Sequence, residues 1–332
     1  GGRVRPTGVG ARAVPLLPIH PHPNPPPRAG EGFSTHGTRP MTDLPAWRSL
    51  LYVPATQPRF VERAHTRGAD AIILDLEDAV APTEKDKARA ALAAAVPMVR
   101  QPGPDGRGAD VCVRVNRPLR MAVADIDAAI AAGADVLVLT KLMGADHVRL
   151  LAEHMTEAEA ACGAPPGRTR AIGLVETADS LPQMEAIARA SPRLVAIGVG
   201  GEDLATDLGA EATPDALDLP KRMCVLAARA AGILPLGFIG TVAGLTDLEG
   251  YRQMLRRSKA IGFACASAIH PVHISILNEE YGARPEEVAR AGRMVAAFDA
   301  ALAQGIGAVT FEGQMIDGPV VARARRLLAR GT

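Results

Sequence analysis

The sequence predicts an α/β fold, a (β/α)8 TIM barrel with a C-terminal helical lid segment. Short apolar runs rich in Val, Ile and Leu alternate regularly with Ala-rich stretches that are typical of helices. Most of these runs lack strict polar and apolar alternation, as expected for parallel strands that are covered on both faces. Eight such units in about 240 residues fit this barrel. The main alternative, a doubly wound open sheet, usually stops at about five or six strands.

Each element is predicted from its composition. Strands are expected where Val, Ile and Leu cluster, at 49–54, 71–76, 110–115, 135–140, 171–176, 194–199, 234–239 and 260–263. Helices are expected at the Ala-rich stretches 58–67, 83–95, 123–132, 145–161, 181–190 and 216–231. Gly68 and Gly133 each stand in a Gly-Ala-Asp sequence between a helix and the next strand. We expect them to end those helices.

Three segments are expected along the chain. Residues 1–45 are predicted to be a disordered N-terminal extension, since nine of the 27 prolines and seven of the 33 glycines lie in the first 40 residues. Residues 46–284 are predicted to form the catalytic barrel. Residues 285–332 are predicted to form a C-terminal helix followed by a Gly-rich lid segment and a short basic helix.

Composition narrows the class of function to an enzyme that acts on a small molecule. The 37 basic and 36 acidic residues nearly cancel, which argues against a polyanion partner, and aromatic residues make up only 3%, too few for a base-stacking surface. No apolar run reaches the length of a membrane span. The four cysteines form no C-x-x-C motif, which is typical of reduced thiols in a cytoplasmic protein. We therefore expect neither nucleic acid nor membrane as a partner.

Acidic side chains follow several predicted strands at their carboxyl ends, where a barrel carries its chemistry. Glu176 and Asp203 end neighbouring strands and form the best-placed pair for a hard cation such as Mg²⁺. Glu77 and Asp78 are placed to order metal-bound water, and Arg114 is placed to bind a substrate carboxylate. Asp78 or Asp203 alone is equally explained as a helix-start acid. The four acids together favour a metal site.

Other polar residues carry weaker signals. The glycines of 198–201 fit neither G-x-G-x-x-G nor a P-loop, and they are better explained by a close approach of the backbone to a ligand. His270 and His273 have zinc-like spacing but lack a third ligand. Lys141 is a possible Schiff-base residue, although an ion pair with one of the acids is favoured. Asp317 is by itself an ordinary turn residue.

Several motifs resemble the citrate lyase β-subunit family of the HpcH/HpaI aldolase superfamily, which includes malyl-CoA and citramalyl-CoA lyases. The resemblance covers essentially all of residues 46–330. The block LDLEDAV…K…AR, combined with the spaced ET, GGEDL and MIDGP motifs, is specific for this family. The matching stretches are RSLLYVPATQPRF (48–60), ADAIILDLEDAVAPTEKDKAR (69–89), VRVN (113–116), GLVETADSL (173–181), GVGGEDLATDLG (198–209), AIHP (268–271) and GQMIDGP (313–319).

The resemblance implies a Mg²⁺-dependent lyase, with Mn²⁺ as a possible substitute. Such an enzyme cleaves a carbon–carbon bond of a short 3-hydroxyacyl-CoA, or forms that bond in the reverse direction. The products of cleavage are an acyl-CoA and a 2-oxo acid, either glyoxylate or pyruvate. Coenzyme A then enters as part of the substrate. The resemblance also implies a homotrimer or hexamer in which the lid is exchanged between subunits.

Roles for individual residues follow from the same resemblance. It makes Glu176 and Asp203 the metal ligands and Arg114 the residue that binds the oxo-acid carboxylate. It gives Glu77 and Asp78 the task of ordering metal-bound water at the substrate.

The resemblance further makes Asp317, on the lid of an adjacent subunit, the residue that transfers a proton to the acyl carbon. Arg48, Lys85 and Arg89 match basic positions near the barrel mouth. Arg48 is expected to bind substrate, and Lys85 and Arg89 are expected to meet CoA phosphates. Ordinary solvation of a helix explains Lys85 and Arg89 almost as well.

The chain departs from the family pattern before its IHP motif. Where relatives often read G-F-x-G-K, Cys265 replaces the glycine and Ala266 replaces the lysine. The departure puts in doubt any role carried over for that lysine, and with it the acyl-CoA preference.

Three other activities stay open at this point. A malyl-CoA-type thioesterase would hydrolyse the ester in the same mouth, and the sequence does not separate it from a lyase. A citrate lyase β subunit would act on a thioester held by an acyl-carrier protein, although the intact lid with Asp317 favours a free-standing CoA enzyme. A metal-dependent aldolase would release a 2-oxo acid without any CoA.

Overall fold

The computed structural model describes residues 1–2, 44–240 and 246–330. These residues, apart from the first two, belong to the compact unit Arg39–Thr332. The extension predicted at 1–45 therefore lies almost wholly outside the described residues. Among the residues described, no helix is both long and apolar enough to cross a membrane.

The predicted barrel is confirmed. In the described part of the chain, eight parallel strands form one sheet in the order β7-β6-β5-β4-β3-β2-β1-β8. A parallel bridge between Leu236 and Cys265 brings the two ends of this sheet together. The strands are β1 (Ser49–Pro54), β2 (Ala71–Asp75), β3 (Asp110–Val115), β4 (Val136–Leu139), β5 (Arg170–Val175), β6 (Leu194–Val199), β7 (Leu234–Leu236) and β8 (Ala266–Ala268).

Helices connect the strands, as the alternation of apolar and Ala-rich segments predicts. Gly68 (φ 72°) and Gly133 (φ 90°) adopt the left-handed conformation that ends a helix, which confirms their predicted role. The helices are α1 (Pro58–Ala64), α2 (Lys85–Val99), α3 (Leu119–Ala131), α4 (Ala145–Ala161), α5 (Met184–Ala188), α6 (Gly201–Asp207), α7 (Pro214–Ala231), α8 (Leu248–Ile261), α9 (Val272–Tyr281), α10 (Pro285–Leu302) and α11 (Gly318–Arg330).

The last strand of the barrel is not where the sequence predicts it. The apolar run 260–263 is the end of α8 and the turn after it, because Gly262 (φ 117°) ends that helix in a left-handed conformation. The eighth strand instead begins at Ala266, which pairs with Ser49 of β1. Cys265 and Ala266, the two departures from the family pattern, are consequently fully buried in the barrel wall.

Alternation along the strands divides the core into two layers. Ala71 and Ile73 of β2 belong to the apolar cluster inside the barrel. Ile72 and Leu74 belong to the larger cluster between the strands and the helices. Successive side chains of a strand point to opposite faces, so the strands β1 to β6 each contribute to both layers.

The C-terminal segment has a small apolar core of its own. After α10 come two short antiparallel strands, β9 (Ala308–Phe311) and β10 (Gln314–Asp317), and then α11. Their buried residues form a cluster separate from those of the barrel. The members of that cluster are Ala291, Met294, Phe298, Ile316, Val321 and Ala324.

Candidate active site

Along several barrel strands, the alternate residues that point into the barrel are apolar at first and polar at the carboxyl end of the strand. On β2 the row of Ala71 and Ile73 continues to Asp75, because alternate residues share a face. The same alternation directs Arg114 inward from β3 and Glu176 inward from the end of β5. The apolar interior of the barrel therefore changes to a charged layer at the carboxyl ends of the strands.

A cavity of about 510 Å³ opens above this layer. Side chains and backbone from the ends of β1, β2, β3, β5, β6, β7 and β8 line it, together with residues of α6 and α7. The polar and charged residues among its lining are Tyr52, Asp75, Asp78, Arg114, Glu176, Glu202, Asp203, Lys221 and Ser267.

Arg114 is held in place by acids. Its Nε and one terminal nitrogen donate to the two carboxylate oxygens of Asp75, at 2.8 and 2.6 Å. Its other terminal nitrogen lies 3.0 Å from Glu77 and 3.2 Å from Asp78. The Tyr52 ring covers the guanidinium, with its centroid 4.9 Å away. Such a fixed guanidinium is suited to recognise a planar carboxylate.

Lys141 connects the other acids. Its backbone N–H donates to Glu176 at 2.5 Å, and its ammonium lies 2.5 Å from Glu77 and 3.3 Å from Asp203. The backbone has a φ of 48°, an unusual conformation for a residue other than glycine. These contacts confirm the interpretation of Lys141 as an ion-pair partner. They also place an ammonium beside Asp203, one of the two predicted metal ligands.

The glycines after β6 provide room for an acid. A Cβ atom on Gly200 would overlap the carboxylate of Glu176. Glycine is needed here because the backbone closely approaches the Glu176 side chain, whereas the predicted approach to a ligand stays a prediction.

The charge at the mouth suits a divalent cation. In the described residues, five carboxylates cluster around Arg114 and Lys141, and Glu202 and Lys221 add one acid and one cation to the same cavity. Burial, together with the nearby charge of Asp203, raises the pKa of Glu176 to about 7, as expected for an acid that lacks enough positive charge nearby. The acids are Asp75, Glu77, Asp78, Glu176 and Asp203.

The described residues contain no group of three His, Cys, Asp or Glu side chains arranged to enclose a metal. Mg²⁺ does not need such a group, because one or two carboxylates, several waters and substrate oxygens complete its coordination. Glu176 and Asp203 are one buried and one partly exposed carboxylate on the same cavity. Their chemistry and their excess of negative charge fit a water-rich Mg²⁺ site.

The basic residues expected near the mouth are distributed differently. Arg48 precedes β1 and therefore lies at the opposite, amino-terminal end of the barrel, where it pairs with Asp70 at 2.7 Å. Its expected position near the mouth is thus wrong. Lys85 does lie at the mouth end of β2, but it donates to two backbone carbonyls at 2.9 and 2.7 Å. Arg89 pairs with Asp125 at 2.8 Å. Binding of CoA phosphates by Lys85 and Arg89 stays a prediction.

Asp317 is not among the residues that line this cavity. It ends β10, and its carboxylate accepts from the backbone N–H of Val320 at 3.3 Å. The acid predicted to transfer a proton is thus carried on the separately packed C-terminal segment.

Five polar residues of the cavity were not predicted from the sequence: Tyr52, Asp75, Glu202, Lys221 and Ser267. Asp75 and Tyr52 had a usable signal, because both continue the inward alternation of apolar residues on their strands. Lys221 had none, since it lies on α7, far along the chain from the carboxyl end of any strand that the motifs marked.

The fold and the site define an α/β-barrel protein with an acid-rich mouth of the kind that barrel enzymes use. Residues 48–271 match the family model described as HpcH/HpaI aldolase/citrate lyase, and the chain belongs to that family. The resemblance found in the motifs is therefore confirmed.

Relatives with different activities are about equally similar to the chain. The citrate lyase subunit beta of Escherichia coli (strain K12) is 35% identical over 286 residues, which cover 85% of this chain and 92% of the relative. A (3S)-malyl-CoA thioesterase of Cereibacter sphaeroides (strain ATCC 17029 / ATH 2.4.9) is 33% identical over 287 residues, which cover 86% of this chain and 94% of the relative. The crystal structure of the protein CitE from Mycobacterium tuberculosis in complex with magnesium, acetoacetate and coenzyme A is also similar. Its TM-score is 0.67 and its sequence is 30% identical. The match covers 85% of this chain and 97% of the CitE chain.

Proposed function

We propose that the protein is a Mg²⁺-dependent carbon–carbon lyase that cleaves or forms a short 3-hydroxyacyl-CoA. Candidate substrates are malyl-CoA, β-methylmalyl-CoA and citramalyl-CoA, which would yield an acyl-CoA and glyoxylate or pyruvate. The observation that carries the proposal is the surplus of carboxylates around Arg114 and Lys141, since four of them, Asp75, Asp78, Glu176 and Asp203, line one cavity. The similar CitE structure, which contains magnesium, acetoacetate and coenzyme A, supports the same classes of ligand here.

Glu176 and Asp203 would hold the metal, and Glu77 and Asp78 would accept hydrogen bonds from its waters. A bound Mg²⁺, or Mn²⁺ in its place, supplies Lewis-acid polarisation of a substrate oxygen. Because Gly200 has no side chain, it leaves room for the Glu176 carboxylate, which lines the cavity.

Arg114 would bind the carboxylate of the oxo-acid half of the substrate. Asp75 fixes the guanidinium plane through two hydrogen bonds before substrate enters. The substrate carboxylate would take the place of Glu77 and Asp78 at the other terminal nitrogen. Cleavage breaks the bond between the hydroxyl-bearing carbon and the carbon next to the thioester. The hydroxyl loses a proton, the oxo acid leaves, and the thioester enolate that remains takes up a proton at carbon.

Asp317 would deliver that proton from a neighbouring subunit. Two observations support this assignment: Asp317 does not line the cavity of its own chain, and the C-terminal segment packs around a core separate from the barrel. A closed ring of subunits, a trimer or a pair of trimers, would let each lid cover the next barrel.

A thioesterase is the second candidate, because a relative with 33% identity carries the name (3S)-malyl-CoA thioesterase. The same cavity would then bind the ester, and water would attack the thioester carbonyl. The names of the Escherichia coli relative and of others favour a third role, that of a citrate lyase β subunit.

Turnover of the three candidate esters by the purified full chain, with and without Mg²⁺, tests the proposal. We expect an oxo acid to appear only with the metal. We expect Asp203→Asn to lower the rate by at least about a hundredfold, since a metal ligand is lost. Asp218→Asn is the matched control, because Asp218 is a surface acid that pairs with Arg222. Turnover that is independent of Mg²⁺, or unchanged in Asp203→Asn, would contradict the proposal.

A further inference from the structure

Lys221 differs from the other cations at the mouth. Arg114 and Lys141 each contact several acids. In the part of the chain that the structure describes, the Lys221 ammonium contacts no carboxylate; it donates to the backbone carbonyl of Gly240. An ammonium has three N–H donors, so Lys221 retains hydrogen-bonding capacity. The charge of Glu202, which lines the same cavity, acts on the ammonium without a contact to it.

The surroundings of Lys221 are largely apolar. The residue is only 7% exposed, and its ammonium lies 5.4 Å from the centroid of the Phe238 ring. Leu217 and Leu236 line the same part of the cavity. Burial lowers the pKa of Lys221 to about 8, which still leaves most molecules charged at neutral pH. A single cation in such surroundings attracts an anion strongly, since little water is present to screen it.

The position of Lys221 relates it to the metal site. Gly200 borders the Glu176 carboxylate, while a Cβ on the next residue, Gly201, would lie 3.8 Å from the Lys221 ammonium nitrogen. Consecutive Cα atoms are about 3.8 Å apart. The predicted metal ligand and the unpaired ammonium therefore border the same two-residue turn, within the reach of one small substrate.

We propose that Lys221 is a specificity-determining residue that binds a second carboxylate on the oxo-acid half of the substrate. The inference rests on the proposed function. Within the class of short 3-hydroxyacyl-CoA esters, it favours esters whose oxo-acid product is a dicarboxylate such as oxaloacetate over the three candidate esters named above, whose products glyoxylate and pyruvate carry one carboxylate each. A second carboxylate in this apolar part of the cavity needs a cation to offset the loss of its hydration, and Lys221 supplies one.

Binding of two matched oxo acids tests the inference without turnover. Oxaloacetate is pyruvate with one additional carboxylate, and each is titrated calorimetrically, in the cold, into the full chain with Mg²⁺. We expect oxaloacetate to bind more tightly to the wild type. Lys221→Gln keeps a donor for Gly240 but removes the charge, and Lys221→Met removes both. Each variant should weaken oxaloacetate binding by about tenfold and leave pyruvate binding unchanged.

Lys87→Gln is the control, because Lys87 is an exposed lysine that pairs with Glu84. Comparison of the two ligands on one protein sample cancels any loss of folded material. Equal affinity of the wild type for both acids would overturn the inference, as would an unaltered preference in Lys221→Gln. If Lys221→Gln and Lys221→Met weakened both acids alike, a structural role would replace the proposed one. Absence of binding by either acid to the wild type would overturn the proposed function as well.

Discussion

Gly200 shows how a single residue controls the candidate site. Its backbone passes so close to Glu176 that no side chain fits between them. The φ of Gly200 is −79°, so alanine would meet no backbone strain and would act only through its Cβ. The geometry of the site thus depends on the absence of one methyl group.

Gly200→Ala should therefore displace the Glu176 carboxylate and lower turnover and Mg²⁺ affinity by about tenfold or more, since small displacements at a reacting centre are costly. Gly292→Ala, in α10, is the matched control, because nothing lies within 4 Å of its added methyl group. That control should raise stability by roughly 0.5–1 kcal/mol and leave turnover unchanged. Wild-type Mg²⁺ affinity in Gly200→Ala, measured by calorimetry, would show that the close approach has no functional role.

The sequence predicts residues at strand ends better than residues elsewhere. Glu176 and Arg114 follow from the rule that barrel chemistry lies at the carboxyl ends of strands. Arg48 was misplaced because its position was taken from the family resemblance, although it precedes the strand predicted at 49–54 and therefore belongs to the amino-terminal end of the barrel. Lys221 could not be foreseen, since its approach to the cavity depends on how α7 packs over β6 and β7.

At the scale of elements, Glu159 joins three parts of the barrel wall. It lies near the end of α4 and accepts hydrogen bonds from the backbone of Gly167 and Thr169, both at 2.7 Å. It also pairs with Arg193, which precedes β6, at 2.7 Å. Burial alone would raise the pKa of Glu159, but these hydrogen-bond and ion-pair partners lower the pKa to about 2.

Glu159→Gln should lower the free energy of unfolding at neutral pH by about 3 kcal/mol, because it removes the charge from a buried pair. Because the pKa of Glu159 is lowered in the folded state, the charged carboxylate contributes fully to stability above pH 4.5, the ordinary pKa of a glutamate. This contribution is lost as the pH falls toward about 2. Urea unfolding at a series of pH values measures it. The gap between wild type and variant should narrow below about pH 4.5. Glu157→Gln, an exposed neighbour on α4, is the control, and an equal loss in both variants would refute the account.

Element prediction succeeds where composition changes sharply and fails where it does not. The first seven strands lie in distinct runs of Val, Ile and Leu, and each was predicted to within a few residues. The eighth is Ala-Ser-Ala, which has no strand composition of its own and is a strand only because β1 pairs with it. The sequence therefore predicts the strand at the more apolar run 260–263 that precedes it.

At the scale of the whole molecule, the site is incomplete within one chain if Asp317 serves a neighbour. Two inactive variants can then complement each other. Asp203→Ala loses the proposed metal ligand but keeps its lid, while Asp317→Ala keeps the proposed metal site but loses the proposed proton donor. A mixed ring contains some sites that have both intact halves.

Co-expression of Asp203→Ala with Asp317→Ala should restore about a quarter of the wild-type activity in the unsorted mixture, since about half of the barrels and half of the neighbouring lids are intact. Mixed trimers freed of homotrimers should show about a third, because each has one such site in three. Each variant alone should be inactive. Differently tagged copies, purified in sequence, isolate the mixed oligomers for assay. Inactive mixed oligomers would place the lid over its own barrel and refute the exchange.

The identity of the CoA-containing product tests the central claim most directly. Mass spectrometry of the reaction of the wild type with Mg²⁺ and a 3-hydroxyacyl-CoA separates a lyase from a thioesterase. The account predicts a shortened acyl-CoA thioester together with an oxo acid, both absent in Asp203→Asn. Free CoA together with the intact hydroxy acid, formed by the wild type and lost in the same variant, would contradict it and establish a hydrolase.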